Sequence, residues 1–368
     1  MKIPLSAPDI TEAEIEAVVA VLRTSRLSLG PVTEQFEAQV AASVSLPHAI
    51  AVSSGTAGLH LCIRALGIGE GDEVIVPSFT FIAAANALRC ERALPVFVDI
   101  EAATLNIDPQ RIEEAITPRT RAIMAVHNFG VPAEMSAILE IAARHGLVVI
   151  EDACEAIGAE YQGRKAGAIG YAGVFAFYPN KQITTGEGGM VVTADEPLAR
   201  RIRALRNQGR YETDDWFQHS ELGFNYRISD INCALGLTQM RRLEEILRKR
   251  ETVAAAYHQR LSHHPHLTLP SLAVIGGRIS WFVYVVRLPA ARRDAIMRRM
   301  LDAGIGCSRY FAPIHLQPSY AAWRDLGNLA VTEAEAKRTL ALPFFNNLEI
   351  EAIDEVCDVL EELLKTGY

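Results

Sequence analysis

Seven short apolar runs, separated by helix-patterned segments, constrain this 368-residue chain more than any other feature. They are AIAV (49–52), EVIVP (73–77), LPVFVDI (94–100), RAIMAV (121–126), GLVVIEDA (146–153), GVFAF (173–177) and GGMVV (188–192). Most are continuously apolar instead of alternating, as strands covered on both faces must be. The segments between them, such as GLHLCIRAL and EMSAILEIAARHG, carry helical spacing; Leu59, Cys62, Ile63 and Leu66 fall at i, i+3, i+4 and i+7. The expected fold is therefore α/β, with a mostly parallel seven-stranded sheet in a large domain. An eight-unit barrel is the competing architecture, but the alternation stops near 193 and a long helical region follows at 229–262. That region, with Ile231, Leu235, Leu243, Ile246 and Leu247, bridges to a smaller α+β domain. The second domain has a strand at 281–288, the helix ARRDAIMRRMLDAG, and a closing helix with Ile350, Ile353, Cys357, Leu360 and Leu364 on one face. The boundary is expected at 245/246, giving domains 1–245 and 246–368. Near the N-terminus, DITEAEIEAVVAVL reads as a helix capped by Asp9 or Thr11, with Ile15, Val18, Val19 and Leu22 as its apolar stripe.

The chemistry concentrates at the ends of these runs. FAFYPNKQITTGEGGMVVT (175–193) places Lys181 in a Gly-rich turn between two strands, VVIEDA ends a strand on Asp152, and AVSSGTAGLHL opens a helix with small residues. Each alone has a plain reading: a solvated lysine, a capping aspartate, an ordinary helix start. Together they supply an amine, a carboxylate and an anion cradle. Pyridoxal 5'-phosphate needs those three, for its Schiff base, its pyridinium nitrogen and its phosphate.

A formal charge of −8 argues against nucleic acid as the main partner. Six scattered cysteines (62, 90, 154, 233, 307 and 357) without a CxxC pair suggest reduced thiols, not disulfides or a metal site. The N-terminus lacks the long apolar region of a signal peptide, and no stretch approaches the ~20 apolar residues that span a bilayer. A soluble, cytoplasmic protein is expected, with no membrane partner. No GxGxxG follows the first strand, which disfavours a dinucleotide enzyme.

The motifs SSGTAGLHL, PSFTFIAAANA, VIEDACEAIGA, FYPNKQITTGEGGMVVT, RNQGR and LGFNYRISDINCALGLTQM together resemble the DegT/StrS type of nucleotide-sugar aminotransferase, in collinear order from about residue 3 to the C-terminus. The resemblance implies the dimeric aspartate-aminotransferase-like (type I pyridoxal-phosphate) fold. It implies that Lys181 forms the Schiff base and moves the proton, and that Asp152 holds the pyridine nitrogen protonated; strand alternation puts Glu151 beside it on the opposite face, in a structural role. It also implies Thr56 and Ala57 at the phosphate, Phe81 stacked on the ring, and Glu155 near the ring oxygen (or, alternatively, on a helix surface). Asn225 and Arg227 are implied to reach the cofactor phosphate from the other subunit of a homodimer, and His127, Tyr310 and His315 to lie near the sugar nucleotide, although PIHL could equally be a domain-packing turn. The chain departs from the pattern at Ala176, where relatives commonly carry a phosphate-binding Ser.

The resulting expectation is a ping-pong transfer from glutamate to a ketone on a nucleotide-diphosphate deoxyhexose, with a 4-keto-6-deoxy sugar ranked first. The small domain and the 26–32 loop are expected sugar-nucleotide contacts. The alternatives are a 3-keto-sugar or keto-inositol aminotransferase, and a non-catalytic pyridoxal-phosphate-binding regulator, which retention of Lys181, Asp152 and the GEGG turn disfavours.

Overall fold

A computed structural model describes residues 1–274, 276–323 and 327–365. All seven apolar runs become strands: β1 (His48–Val52), β2 (Glu73–Pro77), β3 (Leu94–Val98), β4 (Thr120–Val126), β5 (Val148–Asp152) and, after a minimal hairpin β6 (Glu160–Tyr161) and β7 (Arg164–Lys165), β8 (Ala172–Ala176) and β9 (Gly189–Thr193). They form one sheet in the order β1-β9-β8-β5-β4-β2-β3. Only β9 runs against its neighbours, pairing antiparallel with β1 and β8. The carboxyl ends of the other six strands therefore share one edge, the edge at which open α/β sheets hold ligands.

Helices cover both faces, which explains the continuous apolar runs. Before β1 lie α1 (Glu12–Leu22) and α2 (Pro31–Ser43); α3 (Gly55–Ala65) follows β1, α4 (Ala83–Cys90) follows β2, the single turn α5 (Pro109–Ile112) follows β3, and α6 (Met135–His145) follows β4. Beyond β9 come α7 (Glu196–Arg206), α8 (Asp230–Arg241) and α9 (Leu243–Leu261). Ile50, Val52, Val74 and Val76 pack with Leu59 and Cys62 of α3 and Leu88 of α4. The alternate residues Ala49 and Ala51 face Phe36 and Val40 of α2 and Leu237 of α8, and Ile75 and Ile123 face Ile138 of α6. The result is three layers, α/β/α.

Helix α9 divides its contacts. Leu243, Ile246 and Leu247 join the core beside the sheet, while Val253, Ala254, Tyr257 and Leu261 join a second core. That second core is closed by β10 (Tyr284–Arg287), α10 (Ala290–Asp302), β11 (Thr339–Leu342) and α12 (Ile350–Lys365), with β10 and β11 antiparallel; α11 (Ala330–Ala336) precedes β11 and packs on a separate cluster around Phe79 and Phe129. Ile353, Cys357, Leu360 and Leu364 of α12 are buried there as their spacing requires, whereas Ile350 at its start is exposed. Ile3 enters the same core from the far end of the chain.

Several local expectations are corrected. The helical region at 229–262 is two helices, parted at Arg242, and α7 and β11 were not foreseen. The capping residue of α1 is Thr11, in a capping box with Glu14. Its apolar stripe does not face the core: Ile15 is 48% and Leu22 55% exposed, while Glu14 is buried. Glu14 can be buried because Arg242 Nη1 (2.8 Å) and Gln239 Nε2 (2.9 Å) both donate to it.

Candidate active site

The sequence puts three helix- or turn-forming signals directly after strand ends, and the sheet brings those ends together. After β1, Ser54 caps α3 by accepting from the Ala57 N–H (3.1 Å), so the helix starts at the sheet edge. A first turn leaves N–H groups without partners inside the helix, and Gly55 and Thr56 both line the cavity there. Close packing fixes this position. A Cβ on Gly55 would come within 2.7 Å of Ala176 Cβ and 2.8 Å of Cys154 Sγ, and one on Gly189 within 2.6 Å of the Ser54 carbonyl carbon. Ala57 is buried, its N–H committed to Ser54, and it is not among the lining residues.

At the end of β5, Asp152 lines the cavity and is 7% exposed. Its Oδ1 accepts from the Cys154 N–H (3.2 Å). Burial pushes the Cys154 thiol well above its ordinary pKa, with the Asp152 charge adding to the effect. Lys181 sits on the loop joining β8 to β9, its own N–H bonded to the Tyr178 carbonyl (2.9 Å). Its ammonium donates to Glu155 Oε1 (3.3 Å) and lies 4.0 Å from the centre of the Phe282 ring. The pair is enclosed, the lysine side chain 13% and the glutamate 8% exposed. Glu155 Oε2 accepts from the Phe129 N–H (2.8 Å), so its carboxylate is fixed at both oxygens. Burial raises the Glu155 carboxyl above the ordinary range; Lys181 and the Phe129 N–H oppose that shift and Asp152 reinforces it. Gln182 ties the loop down, its Nε2 donating to the Glu155 carbonyl (2.6 Å) and the Ser280 carbonyl (2.9 Å).

These groups border a cavity of about 540 Å³, large enough for a drug-sized ligand. Phe81, 61% exposed, and Tyr178, 52% exposed, stand at its walls. The chain beyond α9 contributes Phe282, Ser308, Arg309, Tyr310 and Phe311; Phe282 and Phe311 pack with Phe79 and Phe129 in a separate aromatic cluster. Burial pushes the Tyr310 phenol up to about 12. Another depression, of about 520 Å³, opens near Thr120 and Leu147 at the opposite edge of the sheet, and no carboxylate lines it.

Of the residues singled out in the sequence, Lys181, Asp152, Glu155, Thr56, Phe81 and Tyr310 meet at this cavity. Two expected substrate residues do not. His127 is fully buried; its Nδ1 accepts from the Ala133 N–H (3.0 Å), which puts the proton on Nε2, and Nε2 donates to Glu151 Oε2 (2.8 Å). Glu151, on the far face of β5 as expected, also accepts from the N–H groups of Gly167 (2.8 Å), Ile169 (2.6 Å) and Gly170 (2.5 Å). Such a closed polar network braces the sheet and leaves nothing for a substrate. His315 is also buried, its Nδ1 against Ser78 Oγ (2.7 Å) and its Nε2 against Glu333 Oε1 (3.4 Å), so PIHL is the packing turn. Asn225 and Arg227 line no part of this chain's own cavity; Arg227 donates to Asn207 Oδ1 (2.9 Å). Sequence reasoning missed Tyr178 and Asn180, although both stand in the YPNK segment, and missed Phe282, Arg309 and Phe311, which only tertiary packing against Phe79 and Phe129 brings in.

Residues 8–361 match the DegT/DnrJ/EryC1/StrS aminotransferase family. GDP-perosamine synthase of Caulobacter vibrioides is 41% identical over 373 aligned residues, covering 99% of this chain and 98% of that one. Among solved structures, S. venezuelae DesV in complex with a ketimine intermediate superposes with a TM-score of 0.93 at 37% identity, covering 100% of both chains. Spr1654 of Streptococcus pneumoniae in its PLP-form has a TM-score of 0.94 at 27% identity, covering 99% of this chain and 100% of that one.

Proposed function

The chain belongs to the DegT/DnrJ/EryC1/StrS aminotransferase family and is a pyridoxal-phosphate-dependent nucleotide-sugar aminotransferase; from that premise we propose that it moves an amino group from glutamate to a 4-keto-6-deoxyhexose carried on a nucleoside diphosphate. The observation that supports this most is the enclosed Lys181–Glu155 pair beside Asp152, facing the start of α3 across one cavity.

The donor set fits pyridoxal phosphate. The phosphate would be held by the Thr56 hydroxyl and the first-turn N–H groups of α3, a positive helix end that Gly55 lets close against the sheet. The Ala57 N–H could join them only by leaving Ser54. Ala176 adds no hydroxyl to this cradle. Asp152 would hold a proton on the ring nitrogen, Glu155 would sit by the ring oxygen and Phe81 would cover the ring face. When bound, the cofactor supplies the electron sink through which an amino group leaves one carbon and joins another. Lys181 Nζ would tether it and then carry a proton between the carbon that loses the amine and the one that gains it. Tyr310, which lines the cavity, would face the sugar.

We also propose a homodimer with Asn225 and Arg227 completing the partner's phosphate site. Support comes from their absence from their own cavity and from the exposed apolar side chains Ile15, Leu22 and Leu27 near the start of the chain, which a second copy could cover. The same reading divides the chain at 245/246, with α9 as the bridge, and places the enzyme in the cytoplasm. All six cysteines are free thiols, and among the described residues no helix is long and apolar enough to cross a membrane. The test is to incubate the holoenzyme and glutamate with a panel of nucleotide-linked 4-keto and 3-keto sugars and identify products by mass and NMR. A 4-amino-4,6-dideoxy product is expected, and none from Lys181→Ala; exclusive amination at C3, or full activity in that variant, contradicts the proposal.

A further inference from the structure

We propose that Arg309 recognises the diphosphate of the sugar nucleotide, a role that rests on the nucleotide-sugar reading above. The cavity is short of positive charge for its cargo. Its lining holds three carboxylates, Asp152, Glu155 and Glu187, against two cations, Lys181 and Arg309. Lys181 is committed to Glu155 and to the cofactor. Arg309 is thus the lining cation left for an anion brought by substrate, and its planar fork suits two phosphate oxygens.

Its placement favours the diphosphate over a small donor's carboxylate. The reacting carbon has to lie at Lys181, deep in the cavity, whereas the Arg309 side chain is 51% exposed at the mouth. A nucleotide sugar spans that depth, with its sugar inside and its diphosphate outward. The backbone around Arg309 is fixed on both sides: Ser308 exchanges hydrogen bonds with Ala341 of β11 (3.2 and 2.8 Å), and the Phe311 ring stacks 5.3 Å from Phe129. The guanidinium pairs with Asp294 of α10 (3.1 Å), a half-exposed contact that water screens. Asp294 has a second cation, because Arg293 Nε donates to its other oxygen (2.6 Å) while Arg293 Nη1 is held by the Thr339 carbonyl (2.7 Å). Arg309 can therefore turn to a phosphate without stranding Asp294.

The test uses the holoenzyme of wild type, Arg309→Met and Arg309→Lys, with calorimetric binding of GDP, UDP and dTDP and, separately, the glutamate half-reaction followed by the cofactor absorbance band. The tightest of the three diphosphates should weaken about tenfold or more in Arg309→Met and less in Arg309→Lys, which keeps the charge but not the fork. The glutamate half-reaction should stay within about twofold of wild type, because the donor does not reach the rim. Unchanged diphosphate affinity in Arg309→Met, or a loss confined to the glutamate step, overturns the assignment, the latter giving Arg309 to the donor carboxylate. A wild type that reacts with glutamate yet binds no diphosphate and aminates no nucleotide sugar defeats the underlying reading and this inference with it.

Discussion

Glu155 carries the site's most informative side-chain environment. It is buried, touches Lys181 and the Phe129 N–H, and has its pKa raised chiefly by desolvation. A carboxyl whose pKa rises on folding favours the protonated form in the native state. The stability it contributes is therefore present below the ordinary glutamate pKa and lost as pH climbs through the raised native value. In Glu155→Gln that dependence should vanish. Across a pH series, the melting temperature of the wild-type apoprotein should fall relative to the variant as pH rises above the ordinary glutamate range; parallel curves would exclude the shift. His127 is the opposite case, a polar residue that looked like a ligand and is a brace. His127→Leu removes one of four donors from buried Glu151 and should cost about 1.5–3 kcal/mol in urea unfolding, the range for a hydrogen bond to a charged group. The cofactor absorbance should be retained; its loss with stability unchanged would return His127 to the site.

Among the elements, the start of α3 is decisive, because helix position and phosphate geometry are one property there. Gly55 packs against Ala176 and Cys154 so closely that a methyl must displace something. Gly55→Ala should lose about 1–3 kcal/mol, as overpacked sites do, and should weaken pyridoxal phosphate by moving the first-turn N–H groups. Denaturation and fluorescence titration check the two effects separately, and a variant with native stability and affinity would mean the helix start is loosely held. Helix α1 shows a different logic. Its capping box behaves as the local sequence requires, but its apolar stripe faces outward, since the Glu14–Arg242–Gln239 cluster claims the inner face.

At the scale of the whole molecule, the cavity built by one chain lacks Asn225 and Arg227. If a partner supplies them, Lys181→Ala and Arg227→Ala damage different halves of each shared site. Mixed after mild dissociation, the two variants should recover roughly a quarter of wild-type activity, since half the dimers are then hybrids with one intact site each. No recovery, with dissociation verified by sedimentation, would place the whole site within one chain.

Strand positions, the starts of α1 and α3, and the convergence of Lys181, Asp152 and the SSGTAG turn were legible in the sequence. Apolar runs, capping residues and strand-end turns act over a few neighbouring residues, and a parallel sheet then gathers the ends of its strands along one edge. The orientation of individual side chains at those ends was not legible. His127 turned toward Glu151, His315 toward Ser78, and Phe282 and Arg309 came to the cavity from chain segments more than a hundred residues beyond Lys181. Those outcomes depend on strand pairing and on the cluster in which Phe282 and Phe311 meet Phe79 and Phe129, contacts between distant residues that no local pattern encodes. Which groups react is thus written in short motifs, while which groups surround them is settled only when the cores pack.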